Sequence, residues 1–378
     1  MRNIFKMAFH FNPMRWTFSL SLAALVFGLA ACNSSSPTGS ESPDSTGSSP
    51  AASSQAASGS KVTLNGAGAS LPNPLYQKWF AEYNKQNPNI QISYQSVGSG
   101  AGINQFLEQT VDFGATDSPL KDEERAKFPA ERGKAIQIPT TAGVIVFAYN
   151  LEGVDGLKLP RTVYCGIVDG SIKKWNDPKI AAANTGAKLP DQDITFVHRS
   201  DGSGTTSIFT KHIEKACPNW KAGSGKSVEW PTGVGAKGNE GVSAQISQSV
   251  GTIGYTELSY AREVKLKMAA IENKAGEIIE PTPEAAAKAL AGITLKEDMS
   301  ASVPDPEAKG AYPIFGLTYL LLYENYPDQA KADALKGLVK WALKDGGKYA
   351  DELGYLPIPT EVADKVVATL DTIKVASK

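Results

Sequence analysis

The sequence RSDGSGTT, residues 199–206, follows the apolar run Ile194–Val197 and precedes residues 207–216, which we predict to be a helix. Small residues allow several backbone N–H groups of such a loop to converge on one point. The start of the helix adds unpaired N–H donors with a partial positive charge. The stretch therefore predicts an anion-binding loop between a strand and a helix.

The side chains of this loop fit the same interpretation. Ser203, Thr205 and Thr206 carry hydroxyls that can turn toward an oxygen, and Arg199 can donate to two oxygens of a tetrahedral oxyanion at once. Asp201 can hold the guanidinium in place and offset part of its charge. The alternative is a Ser/Gly turn that merely caps the helix.

Two more glycine loops stand between a predicted strand and a predicted helix. GAGAS, residues 66–70, follows the strand 62–65, and GSGAG, residues 98–102, follows the strand 90–94. Leu71 stands where a dinucleotide-binding GxGxxG motif would need its third glycine, so the first loop is not that motif. Ser70 can cap the helix that follows or face a ligand.

Asp117 is the acidic member of this set. It ends the short apolar run VDFGATD, residues 111–117, which Ser118 and Pro119 follow. Among so many donors it would supply an acceptor, which is useful only if the ligand still carries a proton. The alternative is an ordinary cap or turn residue before Pro119.

The alternation of strands and helices predicts an α/β lobe with a mainly parallel sheet. A second lobe begins near Thr140, where residues 142–149 form a buried strand, and the strand 314–322 rejoins the first lobe. The chain then crosses between lobes twice, which makes a hinge. We predict lobe I from residues 61–140 and 314–378, and lobe II from residues 141–313.

Residues 1–31 have the features of an export signal: basic residues, then an apolar run that ends in LAAC at Cys32. This ending resembles the lipobox of bacterial lipoproteins, which implies acyl chains on Cys32. The alternative is a signal peptide with an incidental cysteine. Residues 33–60 are almost all Ser, Gly, Pro, Ala and Thr, so residues 32–60 are predicted to be a lipid-anchored flexible linker.

Composition limits the remaining possibilities. The chain has 378 residues, 42% of them hydrophobic, and a formal net charge of −1, which gives no global field that would favour nucleic acid. Cys165 and Cys217 could form a disulfide outside the cytoplasm, or remain two buried thiols. His198 and His212 stand alone, so neither is assigned a role, and no metal site is predicted.

Taken in order, the four segments 66–70, 98–102, 111–117 and 199–205 closely resemble the phosphate-binding proteins of bacterial phosphate ABC importers. The likeness covers roughly residues 61–370 and includes the motif GAKGNEG, residues 235–241. It implies an α/β fold of the class II periplasmic-binding-protein type, with two lobes, two hinge crossings and the ligand between the lobes.

The resemblance also implies a residue set. Asp117 would accept the proton of hydrogen phosphate, and Asp201 would support Arg199. The phosphate-binding residues would be Ser70, Leu71, Ser99, Asp117, Arg199, Ser203, Gly204 and Thr205. Leu71 and Gly204 would contribute backbone N–H groups.

The function expected from this resemblance is transport and not catalysis. The ligand would be inorganic phosphate, with no cofactor, and the partners would be membrane permease subunits and their ATPase. The protein would be a monomer, in the periplasm or at the cell surface, tethered to a bacterial membrane by its lipid. A secreted phosphate-releasing hydrolase and a binder of another oxyanion, such as arsenate, sulfate or molybdate, stay open as alternatives.

Overall fold

A computed structural model describes residues 60–375. The predicted signal peptide, Cys32 and all but the last residue of the predicted linker lie outside the described residues. The strands are β1 Val62–Gly68, β2 Ile90–Ser96, β3 Phe113–Thr116, β4 Ala135–Asn150, β5 Lys158–Leu159, β6 Thr195–Arg199, β7 Val234–Ala236, β8 Thr252–Glu257, β9 Lys267–Met268, β10 Ala270–Glu272, β11 Ile278–Ile279, β12 Phe315–Tyr323, β13 Asn325–Tyr326, β14 Leu356–Pro357 and β15 Lys374–Val375.

The helices alternate with these strands, as predicted. They are α1 Asn73–Gln86, α2 Ser99–Leu107, α3 Asp122–Arg125, α4 Arg161–Val168, α5 Pro178–Ala183, α6 Gly204–Ala216, α7 Gly238–Gln248, α8 Leu258–Glu263, α9 Pro283–Leu290, α10 Gln329–Lys344, α11 Gly347–Leu353 and α12 Thr360–Leu370, with a 3₁₀ turn at Ala130–Arg132. In residues 60–375 no helix combines the length and apolarity that a membrane crossing requires.

One sheet runs through both lobes in the order β2-β1-β3-β12-β4-β8-β6-β7. The strands at either end pair in parallel, β1 with β2 and β3, and β6 with β7 and β8. The two central strands, β4 and β12, pair antiparallel with their neighbours. The prediction of a mainly parallel sheet therefore holds for the ends and fails at the centre, because the connections between lobes run through strands of opposite direction.

Strand β4 is the structural link between the lobes. It pairs with β12 from Ala135 to Val144 and with β8 from Ile145 to Asn150. Its interior residues, 136–149, are all buried, which is why the part from Ala142 to Tyr149 is apolar without alternation. At the change of partner, the N–H of Ile145 donates to the carbonyl of Ile314 at 2.9 Å, so the two crossing segments lie side by side.

The structure also differs from the predicted element ends. Strand β4 begins at Ala135, seven residues before the predicted strand, and α6 begins at Gly204 instead of Ser207. Helix α6 starts early because the Ser203 hydroxyl accepts from the Thr206 N–H at 3.0 Å and caps it. We keep "lobe I" and "lobe II" for the predicted ranges, whose boundaries remain a prediction.

Cys165 and Cys217 form a disulfide, which decides between the two alternatives left open above. Cys165 lies in α4, and Cys217 directly follows the last residue of α6. The disulfide therefore joins α4 to the C-terminal end of α6. The loop 199–206 lies at the opposite, N-terminal end of α6.

Candidate functional site

The candidate site lies where the loops that follow β1, β2, β3 and β6 meet. These loops come from the carboxyl ends of parallel strands, where α/β folds commonly place their ligands. The side chains predicted to bind are withdrawn from solvent: Ser70 is 1% exposed, Ser99 0%, Asp117 3% and Arg199 4%. The structure thus brings together polar groups from both lobes in a buried place.

The two lobes touch directly at this site. The Gly100 N–H of lobe I donates to the Gly202 carbonyl of lobe II at 2.8 Å. The Ser99 hydroxyl accepts from the Asp117 N–H of its own lobe and from the Gly204 N–H of the other, each at 3.1 Å. Ser99 and Gly204, both predicted as ligands, therefore also form a bond between the lobes.

Arg199 is held by Asp201, as predicted. Its Nε donates to Asp201 Oδ1 at 2.7 Å and its Nη2 to Oδ2 at 2.5 Å. The Gly238 N–H also donates to Asp201 Oδ1, at 3.1 Å. Asp201 occupies the edge formed by Nε and Nη2, and Nη1 donates to the Thr205 hydroxyl at 3.4 Å. The remaining N–H groups of Nη1 and Nη2 can make a bidentate contact with an oxyanion.

The hydroxyls of the site accept hydrogen bonds from protein nitrogen atoms. Ser70 Oγ accepts from the Asn239 side-chain amide at 2.9 Å, and Thr205 Oγ1 accepts from the same amide nitrogen at 3.0 Å. Ser203 Oγ accepts from the backbone at the start of α6. A hydroxyl that already accepts in this way has its own hydrogen left to donate, so these groups are polarised as donors toward an anion.

The backbone of Leu71, which was predicted to contribute its N–H, is fixed by two tyrosines. The hydroxyls of Tyr260 and Tyr355 donate to the carbonyls of Ser70 and Leu71, each at 2.7 Å, and fix the loop. Among residues 60–375 no backbone carbonyl accepts a hydrogen bond from the Leu71 N–H. The Leu71 side chain packs over Gly143, where an added Cβ would lie 2.6 Å from Leu71 Cδ2.

Asp117 is an acceptor among these donors. Its Oδ1 accepts from the Thr318 hydroxyl at 2.8 Å. Its Oδ2 points toward Gly204, where an added Cβ would lie 2.6 Å away. Burial raises the pKa of Asp117 to about 7, against the hydrogen bond from Thr318 and the charge of Arg199, which both lower it.

Two buried residues of the site were not predicted from the sequence. Asn239 bridges Ser70 of lobe I and Thr205 of lobe II, and Thr318 holds Asp117. Asn239 stands inside the motif GAKGNEG that was part of the resemblance, but no role followed from its position. Thr318 is the one serine or threonine in the strand FGLTYLLLY, and such a small hydroxyl in an otherwise apolar and aromatic strand is a signal for a buried partner.

Comparison with known proteins identifies the class first. The sequence model of the PBP superfamily domain matches residues 47–345. A phosphate-binding protein from Stenotrophomonas maltophilia has the same fold, with a TM-score of 0.66 at 20% identity over 82% of this chain and 94% of that one. The chain is thus a two-lobe binding protein of the PBP superfamily.

The relatives narrow this class to a family. The phosphate-binding protein PstS of Pasteurella multocida is 42% identical over 316 residues, which cover 82% of this chain and 90% of that protein. The phosphate-binding protein PstS of Xylella fastidiosa is 41% identical over 313 residues, which cover 81% and 84%. The chain belongs to the family of the PstS phosphate-binding proteins, as the resemblance implied.

Proposed function

We propose that this protein captures inorganic phosphate between its two lobes, outside the cytoplasm, and delivers it to an ABC importer. The observation that carries the proposal is a buried carboxylate, Asp117, placed among hydroxyls, backbone N–H groups and one guanidinium. The relatives named phosphate-binding protein PstS and the PBP superfamily fold support it.

The ligand would be held by the predicted residue set. Arg199 would donate two N–H groups, and Ser70, Ser99, Ser203 and Thr205 would donate their hydroxyl hydrogens. The N–H groups of Leu71 and Gly204 would complete the donors; that of Gly204 would exchange its bond to Ser99 for one to the ligand. No cofactor and no metal enter this account.

Asp117 would select for phosphate. Hydrogen phosphate carries a proton that it can donate to the carboxylate, whereas sulfate is fully deprotonated and would face it lone pair to lone pair. A polar group that is buried and repelled in this way can lower affinity by a factor of roughly 10⁴. We therefore expect discrimination against sulfate to rest on this one group.

The proposed anchor and partners go beyond the folded part. Cys32 would carry the lipid, residues 33–60 would tether the domain, and permease subunits with their ATPase would receive the phosphate from a monomer. Cys32→Ala should release the protein from the membrane fraction while leaving phosphate binding unchanged. Membrane association that survives this substitution would contradict the lipid anchor.

Calorimetric titration with phosphate, and with sulfate in parallel, tests the proposal. At about pH 9, two units above the Asp117 pKa of about 7, we expect saturable heat with phosphate and sulfate binding weakened roughly 100-fold or more by the ionised carboxylate. The heat with phosphate should be lost in Arg199→Gln and retained in Arg262→Gln, a control that removes the same charge outside the site. Equal uptake of sulfate would contradict the proposed ligand.

A hydrolase that releases phosphate is the second candidate. His198 stacks on Trp230, and the His212 ring contacts the Tyr164 hydroxyl. Among the described residues, therefore, neither histidine is placed to act as a general base for a hydroxyl of the site. Incubation with a chromogenic phosphate ester decides between the two, since sustained turnover by the purified protein would favour the enzyme.

A further inference from the structure

A second group of basic residues lines an open cleft beside the enclosed site. We call it the basic cleft; it has a volume of about 480 Å³. Its walls are Ser118–Asp122, Ser207, Lys211, Ser224–Lys226, and parts of the segment 296–302. Four lysines, several hydroxyls and two aspartates line it. The cleft therefore has hydrogen-bond donors and excess positive charge, and the phosphate site proposed above uses neither.

The charges of the basic cleft are only partly compensated. Lys226 pairs with Glu124, and Asp298 is engaged by Arg125 at 3.1 Å. Within the part of the chain that the structure describes, no carboxylate forms an ion pair with Lys121, Lys211 or Lys296. Asp122 is left as the acidic group of the lining that no lysine or arginine engages.

Lys211 is the lysine of the basic cleft whose charged form is destabilised by its surroundings. It is partly buried in α6, and its pKa is lowered, first by burial and then by the charges of Lys296 and Lys121. A half-buried cation that faces like charges and lacks an anion is unfavourable, and an anion bound among the three lysines would relieve the repulsion.

The basic cleft begins at the residues next to the enclosed site. Ser118 follows Asp117, Ser207 belongs to the first turns of α6, and the Ser207 hydroxyl donates to that of Ser118 at 3.4 Å. One wall comes from lobe I and the other from lobe II. An anion in the cleft would therefore lie beside the seam through which a ligand enters or leaves.

We propose that the basic cleft is a second anion site, which holds a free inorganic oxyanion next to the seam between the lobes and raises its local concentration there. The lining has no aromatic side chain on which a nucleobase could stack, which favours a small oxyanion over a nucleotide. Since the net charge of the chain is only −1, attraction of an anion must come from such local groups.

The first test uses sulfate as the probe on protein loaded with a stoichiometric amount of phosphate, followed by amide NMR. We expect saturable shifts at residues 224–226 and 296–302, lost in Lys211→Gln/Lys296→Gln and retained in the control Lys188→Gln/Lys221→Gln. The control removes the same charge from two exposed lysines outside the cleft. Absence of these shifts, or equal shifts in both variants, would overturn the second site.

The second test measures the rate of phosphate association by stopped flow. Removal of two cleft charges should slow association about three- to tenfold at low ionic strength and have no effect at high salt. An unchanged rate at low ionic strength would overturn the proposed role in ligand entry. Failure of phosphate capture itself is seen separately, because the amides of Ser70 and Thr205 would then not respond to phosphate.

Discussion

At the scale of single residues, Asp117 is the side chain to which we assign the choice of ligand. Burial raises its pKa to about 7, so the group titrates near neutral pH. Above that pH it is a carboxylate that only accepts; below it the carboxyl is neutral and can donate. Selectivity for a protonated ligand is therefore expected to depend on pH.

Sulfate should bind better as the pH falls. Because neutral Asp117 can donate to sulfate, sulfate affinity should rise roughly tenfold for each pH unit lost above the pKa and level off below it. Competition of sulfate against phosphate across pH measures this.

Thr318→Val removes a hydrogen bond that lowers the Asp117 pKa, so it should move the pH at which sulfate binding changes to a higher value. A pH-independent preference would contradict this role of Asp117.

The sequence could predict contacts between residues of the same loop. Arg199 and Asp201 are two positions apart, and their ion pair follows from local spacing. Asn239 could not be assigned, because its contact to Ser70 crosses from lobe II to lobe I, and its contact to Thr205 joins α7 to α6, which are distant in sequence. Thr318 lies in β12, which pairs with β3 next to Asp117, but the two residues are 201 positions apart in the sequence. A local sequence pattern cannot predict a contact over such a separation.

At the scale of elements, the close approach of α6 to lobe I depends on a glycine. A Cβ on Gly204 would lie 2.5 Å from both the Asp117 Cβ and the Ser99 Oγ, which belong to the other lobe. The start of α6 can therefore lie this close to lobe I only if its first residue has no side chain.

Gly204→Ala should weaken phosphate binding by obstructing closure. The clash would cost about 1–3 kcal/mol, roughly 5- to 150-fold in Kd. Unfolding of the ligand-free protein should change little, since the clash is with the other lobe. Gly241→Ala in α7 is the matched control, because its Cβ would meet only ordinary contacts at 3.7 Å. Equal phosphate affinity in both variants would contradict this account of the contact.

The disulfide stabilises lobe II without touching the site. Cys165 and Cys217 are 52 residues apart, and cross-linking a loop of that order contributes about 2–4 kcal/mol. Cys165→Ser/Cys217→Ser should lower the free energy of unfolding by that amount, measured by urea denaturation, and leave phosphate affinity in calorimetry unchanged. A variant of unchanged stability would refute the stabilising role.

At the scale of the whole molecule, the two lobes share one sheet through β4 and β12. The sequence predicted two lobes and two crossings because both crossing strands are long apolar runs. It did not predict that β4 begins in lobe I at Ala135 or that the centre of the sheet is antiparallel. Whether two strands pair in parallel or antiparallel depends on strands that are distant in the sequence, and hydrophobic periodicity within one strand does not predict it.

The interface between the lobes gives the molecule its chemistry. Neither lobe contains a complete site: Ser70, Ser99 and Asp117 lie on one, and Arg199, Ser203 and Thr205 on the other. In the proposed function, closure of the two lobes on an ion would exclude water, so we expect the contacts of a single carboxylate to decide selectivity.

The most direct measurement is displacement calorimetry of Asp117→Asn with phosphate and sulfate, beside the wild-type protein. The asparagine keeps the size of the side chain but can donate to sulfate. We predict that sulfate binding appears and that the preference for phosphate falls by roughly 10²–10⁴. A variant that still binds phosphate and still rejects sulfate as the wild type does would contradict the account.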